Sequence, residues 1–185
     1  KSWALSSIGK AAIRNGKKVL HYTLELNDGY LGLRYDTMIT GFEPKEIKNH
    51  ITEAKTAIQN ITGELILKYY PTRTASVLTF RAHIDRLKST GFEPDLIIVD
   101  YADLMRPTEK GDARYQDLGI IYEDLRGMAG EYKVPLWTAS QSQRSSLNDD
   151  VIEADKIAES FNKIMTADFI LSISRKLSDK VSNTA

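Results

Sequence analysis

The stretch Asp95–Met105, DLIIVDYADLM, decides how this chain folds. Leu96, Ile97, Ile98 and Val99 run into Asp100 without polar interruption. A strand apolar on both faces belongs in the middle of a parallel sheet covered by helices. An acid at the carboxyl end of such a strand lies where open α/β sheets bind their ligands. Burying a carboxylate there without a partner is costly, so a bound cation accounts for Asp100. A helix cap or a local salt bridge is the structural alternative.

Upstream, Lys17–Leu26 (KKVLHYTLEL) reads as a second strand with Glu25 at its end, before the turn cluster Asn27-Asp28-Gly29. The spacing of Leu5, Ile8, Ala12 and Ile13 predicts a helix over Trp3–Asn15, stopped by Gly16. Further helices are predicted over Tyr30–Thr40 and over Glu43–Ile61. In the second, Ile47, Ile51, Ala54 and Ile58 form one stripe and Gly63 is the stop. Leu65–Tyr70 is a short strand halted by Pro71, and Ala75–Lys88 a helix with Val77, Leu78, Phe80, Ile84 and Leu87 facing the core. The pentapeptide TGFEP occurs at Thr40–Pro44 and again at Thr90–Pro94, with flanks that do not match. Both copies read as one helix-ending device, a left-handed Gly followed by a Phe that folds back.

Downstream come a loop, Arg106–Arg114, and a long amphipathic helix, Tyr115–Tyr132. A strand over Leu136–Ala139 ends in Ser140-Gln141. The polar loop Ser142–Asp150 follows, then a helix from about Ala154 to Met165 and a last strand, Phe169–Ser174. Strands alternate with helices throughout, which specifies an α/β fold with a mostly parallel sheet and helices on both faces.

The chain's 185 residues suit one domain, 1–185, with a real core. It opens at Lys1-Ser2-Trp3 and closes on a polar stretch, so it reads as a domain incomplete at both ends. With no cysteine, disulfides, thiolate metal sites and thiol catalysis are excluded. No apolar run reaches membrane-span length and no secretory signal leads the chain, which reads as cytoplasmic. Lys+Arg and Asp+Glu both number 25, so bulk charge does not drive nucleic-acid binding, although a few loop cations can. His21, His50 and His83 make no metal-ligand spacing, Ser6-Ser7 and Ser145-Ser146 lack His/Asp partners, and Trp3 and Trp137 read as packing residues.

Four polar features then fall at strand ends or a helix start: Lys1-Ser2, Glu25, Asp100 and Gln141. In a parallel sheet those ends share one edge, so the groups converge in space. The set is what nucleoside-triphosphate hydrolysis requires. A Lys-Ser pair opening a helix is the tail of a phosphate loop, with Lys on the phosphates and the hydroxyl on Mg²⁺. Asp100 would hold that Mg²⁺. Glu25 can orient and polarise a water, and the Gln141 amide can sense the γ-phosphate.

In this order HYTLEL, LIIVDYADLM, VPLWTASQSQRSS and ADFILSISR make the chain similar to the motor domain of DnaB-type replicative DNA helicases. The resemblance runs over essentially the whole chain. Its most specific pieces are Glu25 closing its strand, the Asp100-Tyr101 pair, and Ser140-Gln141 followed by Gln143-Arg144. It implies a RecA-like P-loop NTPase core lacking the first strand and the glycine-rich loop, assembling in the intact protein as a homohexamer. ATP and Mg²⁺ are the implied cofactors, with Lys1 and Ser2 ending the phosphate loop, Glu25 the catalytic base, Asp100 the Mg²⁺-side carboxylate and Gln141 the sensor. The loops Arg106–Arg114 and Ser142–Asp150 would hold single-stranded DNA through Arg106, Lys110, Arg114 and Arg144. Primase and a helicase loader are implied partners. The family's arginine finger would lie beyond the last strand, and Arg175 reads as a structural strand-end residue instead. A piece like this should hydrolyse ATP poorly by itself. Two alternatives stand beside the helicase motor: a RecA/KaiC-like recombinase or ring ATPase without unwinding, and a nucleotide-binding module without catalysis.

Overall fold

The computed structural model of the protein describes residues 1–141 and 162–173. Among these residues four parallel strands form the sheet: β1 (Lys18–Thr23), β2 (Glu64–Tyr69), β3 (Leu96–Asp100) and β4 (Leu136–Thr138), in the order β2-β1-β3-β4. Helices α1 (Ser2–Arg14), α2 (Asp28–Thr40) and α3 (Ile51–Gln59) cover one face. On the other lie α4 (Val77–Ser89), α5 (Arg114–Tyr132) and the short α6 (Asn162–Thr166).

The apolar run of β3 explains this layering. Leu96 and Ile98 pack toward α1 and α2 with Leu5, Ile13, Leu31 and Tyr35. Ile97 and Val99 pack toward α4 and α5 with Phe80, Ile84, Leu118 and Leu125. Successive side chains point to opposite faces, so a strand apolar at every position supplies both cores at once. All five residues of β3 are buried.

The turn cluster expected at Asn27-Asp28-Gly29 is instead the start of α2, which Asn27 caps by accepting the Tyr30 N–H at 2.9 Å. Other element ends follow the expected local chemistry. Both TGFEP glycines take the left-handed region, Gly41 at φ 79° and Gly91 at φ 89°, and each ends a helix. Phe92 then folds into the core, while Phe42 stacks on His50 with ring centroids 4.6 Å apart.

Other expectations give way. The single helix over Glu43–Ile61 is instead a 3-10 turn, Ile47–Asn49, and then α3, separated by His50 in a non-helical conformation. Of its isoleucine stripe only Ala54 is buried; Ile51 and Ile58 are exposed, because this segment lies at the rim with no deep core to enter. Leu78 is exposed because α4 buries Val77, Phe80 and Ile84 at helical spacing and Leu78 falls off that stripe. Trp3 is half-exposed under the Arg34 guanidinium rather than packed. Residues 169–173 form no strand, and Phe169, Leu171 and Ile173 are exposed; Phe169 meets Trp137 edge-on at 6.3 Å instead of through a ladder.

Gly63 has a different job from the helix stop assigned to it. A Cβ there would meet the Ile13 and Lys17 carbonyl oxygens at 2.5 Å, where the end of α1 crosses the start of β2. The Gly63 N–H donates to the Ile13 carbonyl at 3.0 Å. Backbone cannot swing aside as a side-chain tip can, so Gly63→Ala should lower stability by about 1–3 kcal/mol, read from the urea midpoint.

His21 lies wholly buried in β1, its Nδ1 sharing a 2.9 Å hydrogen bond with the Tyr35 hydroxyl and its Nε2 unpartnered. Burial holds its pKa down to about 3, against 6.5 in an open chain. The unfolded chain therefore takes up a proton below 6.5 that the folded chain refuses until about 3. The stability it contributes is complete above 6.5 and is lost as the pH falls through that window. Between pH 6.5 and 5 this one group should cost about 2 kcal/mol of stability. Urea titrations at the two pH values should show that loss, and His21→Gln should remove it.

Candidate nucleotide site at the sheet edge

The order β2-β1-β3-β4 places a topological switch point between β1 and β3: the chain leaves β1 toward β2 on one side and returns to β3 on the other. Crevices at such points, outside the carboxyl ends of the strands, are where open α/β sheets hold ligands. The crevice is built by the register itself, since Thr23 is opposite Asp100 and the Leu24 N–H donates to the Asp100 carbonyl at 2.8 Å.

Asp100 is fully buried, and neither of its carboxylate oxygens has a hydrogen-bond partner among the described residues. Burial raises its pKa, with Glu25 adding to the rise; Ser2, Lys1 and Arg34 act in the opposite direction. Ser2, itself buried at the start of α1, biases the carboxylate toward its charged form, although neither oxygen has a hydrogen-bond partner among the described residues. A buried carboxylate with two orphaned oxygens beside a hydroxyl suits a divalent cation. Among the described residues no three His, Asp or Glu side chains cluster as a metal cage.

Glu25 lies two residues past the end of β1, and the Lys1 ammonium approaches its carboxylate at 3.5 Å. The same ammonium sits 3.0 Å from the centroid of the Tyr101 ring. Lys1 thus bridges the ends of β1 and β3 at the positive N-terminal end of α1, where anions are favoured. Lys1, Ser2, Glu25 and Asp100 are brought together. Gln141 is exposed three residues beyond β4, on the same edge. Arg106, Lys110 and Arg114 line a cleft next to this edge, between the β3–α5 loop and α5. Arg144 and Arg175 lie outside the described residues.

One cluster escaped the sequence reading. Lys163 on α6 is buried, its ammonium 2.8 Å from Asp103 Oδ2 and 3.1 Å from Ser140 Oγ. Tyr122 on α5 donates to Asp103 Oδ1 at 2.8 Å, and Ser140 donates to Oδ2 at 3.3 Å. Burial and the Asp103 charge push the Tyr122 phenol well up, so it remains a donor. Asp103 sits in a 3-10 turn, Ala102–Leu104, just past Asp100, while Ser140 precedes Gln141. The network therefore ties the turn after β3 to the turn after β4. Its one sequence signal was Asp103 inside the DYADLM segment, since nothing in the spacing of Lys163 points to a partner 60 residues away.

Fold and crevice together define an α/β protein with a parallel sheet covered by helices on both faces and a ligand crevice at its switch point. The profile of the DnaB-like helicase C-terminal domain matches residues 1–183, and the chain belongs to that family. A DnaB-like replicative helicase of Enterobacteria phage T4 is 30% identical over 185 residues, covering 94% of this chain and 39% of that protein. A solved DnaB-like replicative helicase, described with its interactions with primase, superposes with a TM-score of 0.80 at 20% identity, over all of this chain and 47% of its own. A second structure, an ATPase domain, gives 0.82 at 20% identity over all of this chain and 68% of its own. Both share the fold. The chain spans 39% of the length of its phage relative.

Proposed function

We propose that this chain is the motor of an ATP-dependent replicative DNA helicase, coupling ATP hydrolysis to movement along single-stranded DNA and to duplex unwinding. The observation that carries the reading is the meeting of Lys1, Ser2, Glu25 and Asp100 at one sheet edge, at the switch point between β1 and β3.

In this reading Lys1 binds the β- and γ-phosphates, released from Glu25 and Tyr101 by the stronger anion. Ser2 and Asp100 would hold Mg²⁺, which would supply charge neutralisation at the phosphates. Glu25, once Lys1 turns to the nucleotide, orients a water and takes its proton. Gln141 reads the γ-phosphate, and the Asp103–Lys163–Ser140 network fixes where the Gln141 turn starts. Arg106, Lys110 and Arg114 contact DNA phosphates, joined by Arg144. The intact protein works as a homohexamer in the cytoplasm of a bacterium or a phage-infected cell, with primase and a loader as partners. Family membership favours this over a recombinase-like ring ATPase.

The test is ATP turnover by the full-length protein with and without single-stranded DNA, paired with strand displacement on a forked duplex. DNA-stimulated turnover with displacement is expected. Stimulated turnover without displacement would replace the helicase reading with a ring ATPase, and absence of turnover would leave a binding module.

A further inference from the structure

The cleft beside the nucleotide crevice, about 600 Å³, has a wall from outside the β3–α5 loop. Arg73, in the β2–α4 loop, lines it together with Arg106, Lys110 and Arg114; Asp103 and Asp117 are its carboxylates. Two backbone hydrogen bonds lace the loops together. The Arg73 N–H donates to the Leu104 carbonyl at 2.7 Å and the Arg106 N–H to the Ala75 carbonyl at 2.8 Å. Arg73 itself takes the left-handed region at φ 61°, a conformation that few non-glycine residues adopt and that tends to persist at functional sites.

The charges of this cleft are poorly explained by stability. Asp103 is already ion-paired with Lys163, and Asp117 accepts the Gly111 N–H at 2.8 Å. Among the described residues Arg73, Arg106 and Lys110 have no carboxylate in ion-pair range. The chain as a whole is neutral, so this is a local concentration of positive charge and not a share of a general excess. Such a site is relieved by an anion with repeated charges. A cleft between two tied loops takes one sugar-phosphate backbone, whereas a duplex would touch only its rim. Tyr115 is the one exposed aromatic side chain close by among the described residues, so phosphates rather than stacked bases are the groups to be held.

We infer that Arg73 is a DNA-phosphate contact, the fourth cation of a cleft that tracks the backbone of a single strand across the β2–α4 and β3–α5 loops. This rests on the helicase reading above and adds a residue and a wall to its DNA path.

The experiment measures binding of a fluorescein-labelled oligo-dT by the full-length protein at several salt concentrations, with mant-ATP titrated in parallel. Each phosphate contact to a single strand contributes about 0.7 to the slope of log K against log salt. Arg73→Ala should lower that slope by about 0.7, Arg73→Lys should keep it, and the mant-ATP affinity should hold in both. A slope unchanged in Arg73→Ala but reduced in Arg114→Ala overturns the assignment of Arg73 and leaves the helicase reading in place. Loss of mant-ATP affinity with oligo-dT binding intact also overturns it, making Arg73 a nucleotide contact. Wild-type protein that fails to bind oligo-dT overturns both.

Discussion

Glu25→Gln is expected to slow ATP hydrolysis by about 10²–10⁴-fold, the usual worth of a positioned general base, while leaving nucleotide affinity within a few-fold. The substitution keeps the shape of the side chain and removes only its basicity and charge. The cost to the fold is small: the Lys1–Glu25 contact is a half-exposed pair at 3.5 Å, and pairs of that kind contribute about 0–1 kcal/mol. Losing less than one kilocalorie cannot unfold a domain with two buried cores, so a large drop in turnover would report chemistry. Phosphate release measured at saturating ATP, with mant-ATP binding on the same preparation, separates the two. Wild-type turnover in the variant would remove Glu25 from the mechanism and turn attention to a base outside this crevice.

Lys163→Met should destabilise the fold by about 3–5 kcal/mol, the largest loss expected from any single charge in the described structure. The side chains of both partners are nearly sealed from water, 2% exposed for Lys163 and 9% for Asp103, which separates this pair from the solvated ones such as Lys18–Glu64. Methionine fills similar space but leaves the Asp103 carboxylate buried with, among the described residues, only the Tyr122 and Ser140 hydroxyls as donors. Those hydroxyls cannot neutralise it. Urea unfolding gives the loss directly, and the double variant Lys163→Met, Asp103→Asn should recover part of it, since the amide no longer carries a buried charge. A loss below about 1 kcal/mol would mean that the pair behaves as an exposed one.

The two variants probe different layers of one arrangement. Glu25 stands at the crevice and touches the chemistry, whereas Lys163 lies beneath the turns that aim Asp100 and Gln141. A stability loss in Lys163→Met accompanied by a proportionate fall in turnover would place the network in support of the crevice.

Much of this was legible from local pattern. A run apolar at every position, LIIVD, can only be satisfied by cover on both faces, and both cores form around it. The meeting of Glu25 with Asp100 followed from parallel strands alone, because parallel carboxyl ends share an edge whatever lies between them. Gly41 and Gly91 carry their cap chemistry in their own covalent structure, and each ends its helix as expected.

Other features depend on partners that the local pattern does not name. The isoleucine stripe of residues 47–58 has helical spacing, yet a stripe is buried only where a neighbour offers a surface, and here the rim offers little. Gly63 looked like punctuation until the crossing of α1 and β2 set two carbonyl oxygens against it. Nothing in the local pattern singles out Arg73 or Lys163, because sequence distance hides what the loops and α6 bring to them. The order of apolar and acidic residues by itself determined four of the five expected strands, the two cores and the acidic edge, since periodicity and strand direction are properties of the chain. Only the tertiary structure decided which charges are buried, which cations share a cleft and which glycine is indispensable, because burial and close approach belong to pairs of distant segments and exist only once those segments pack.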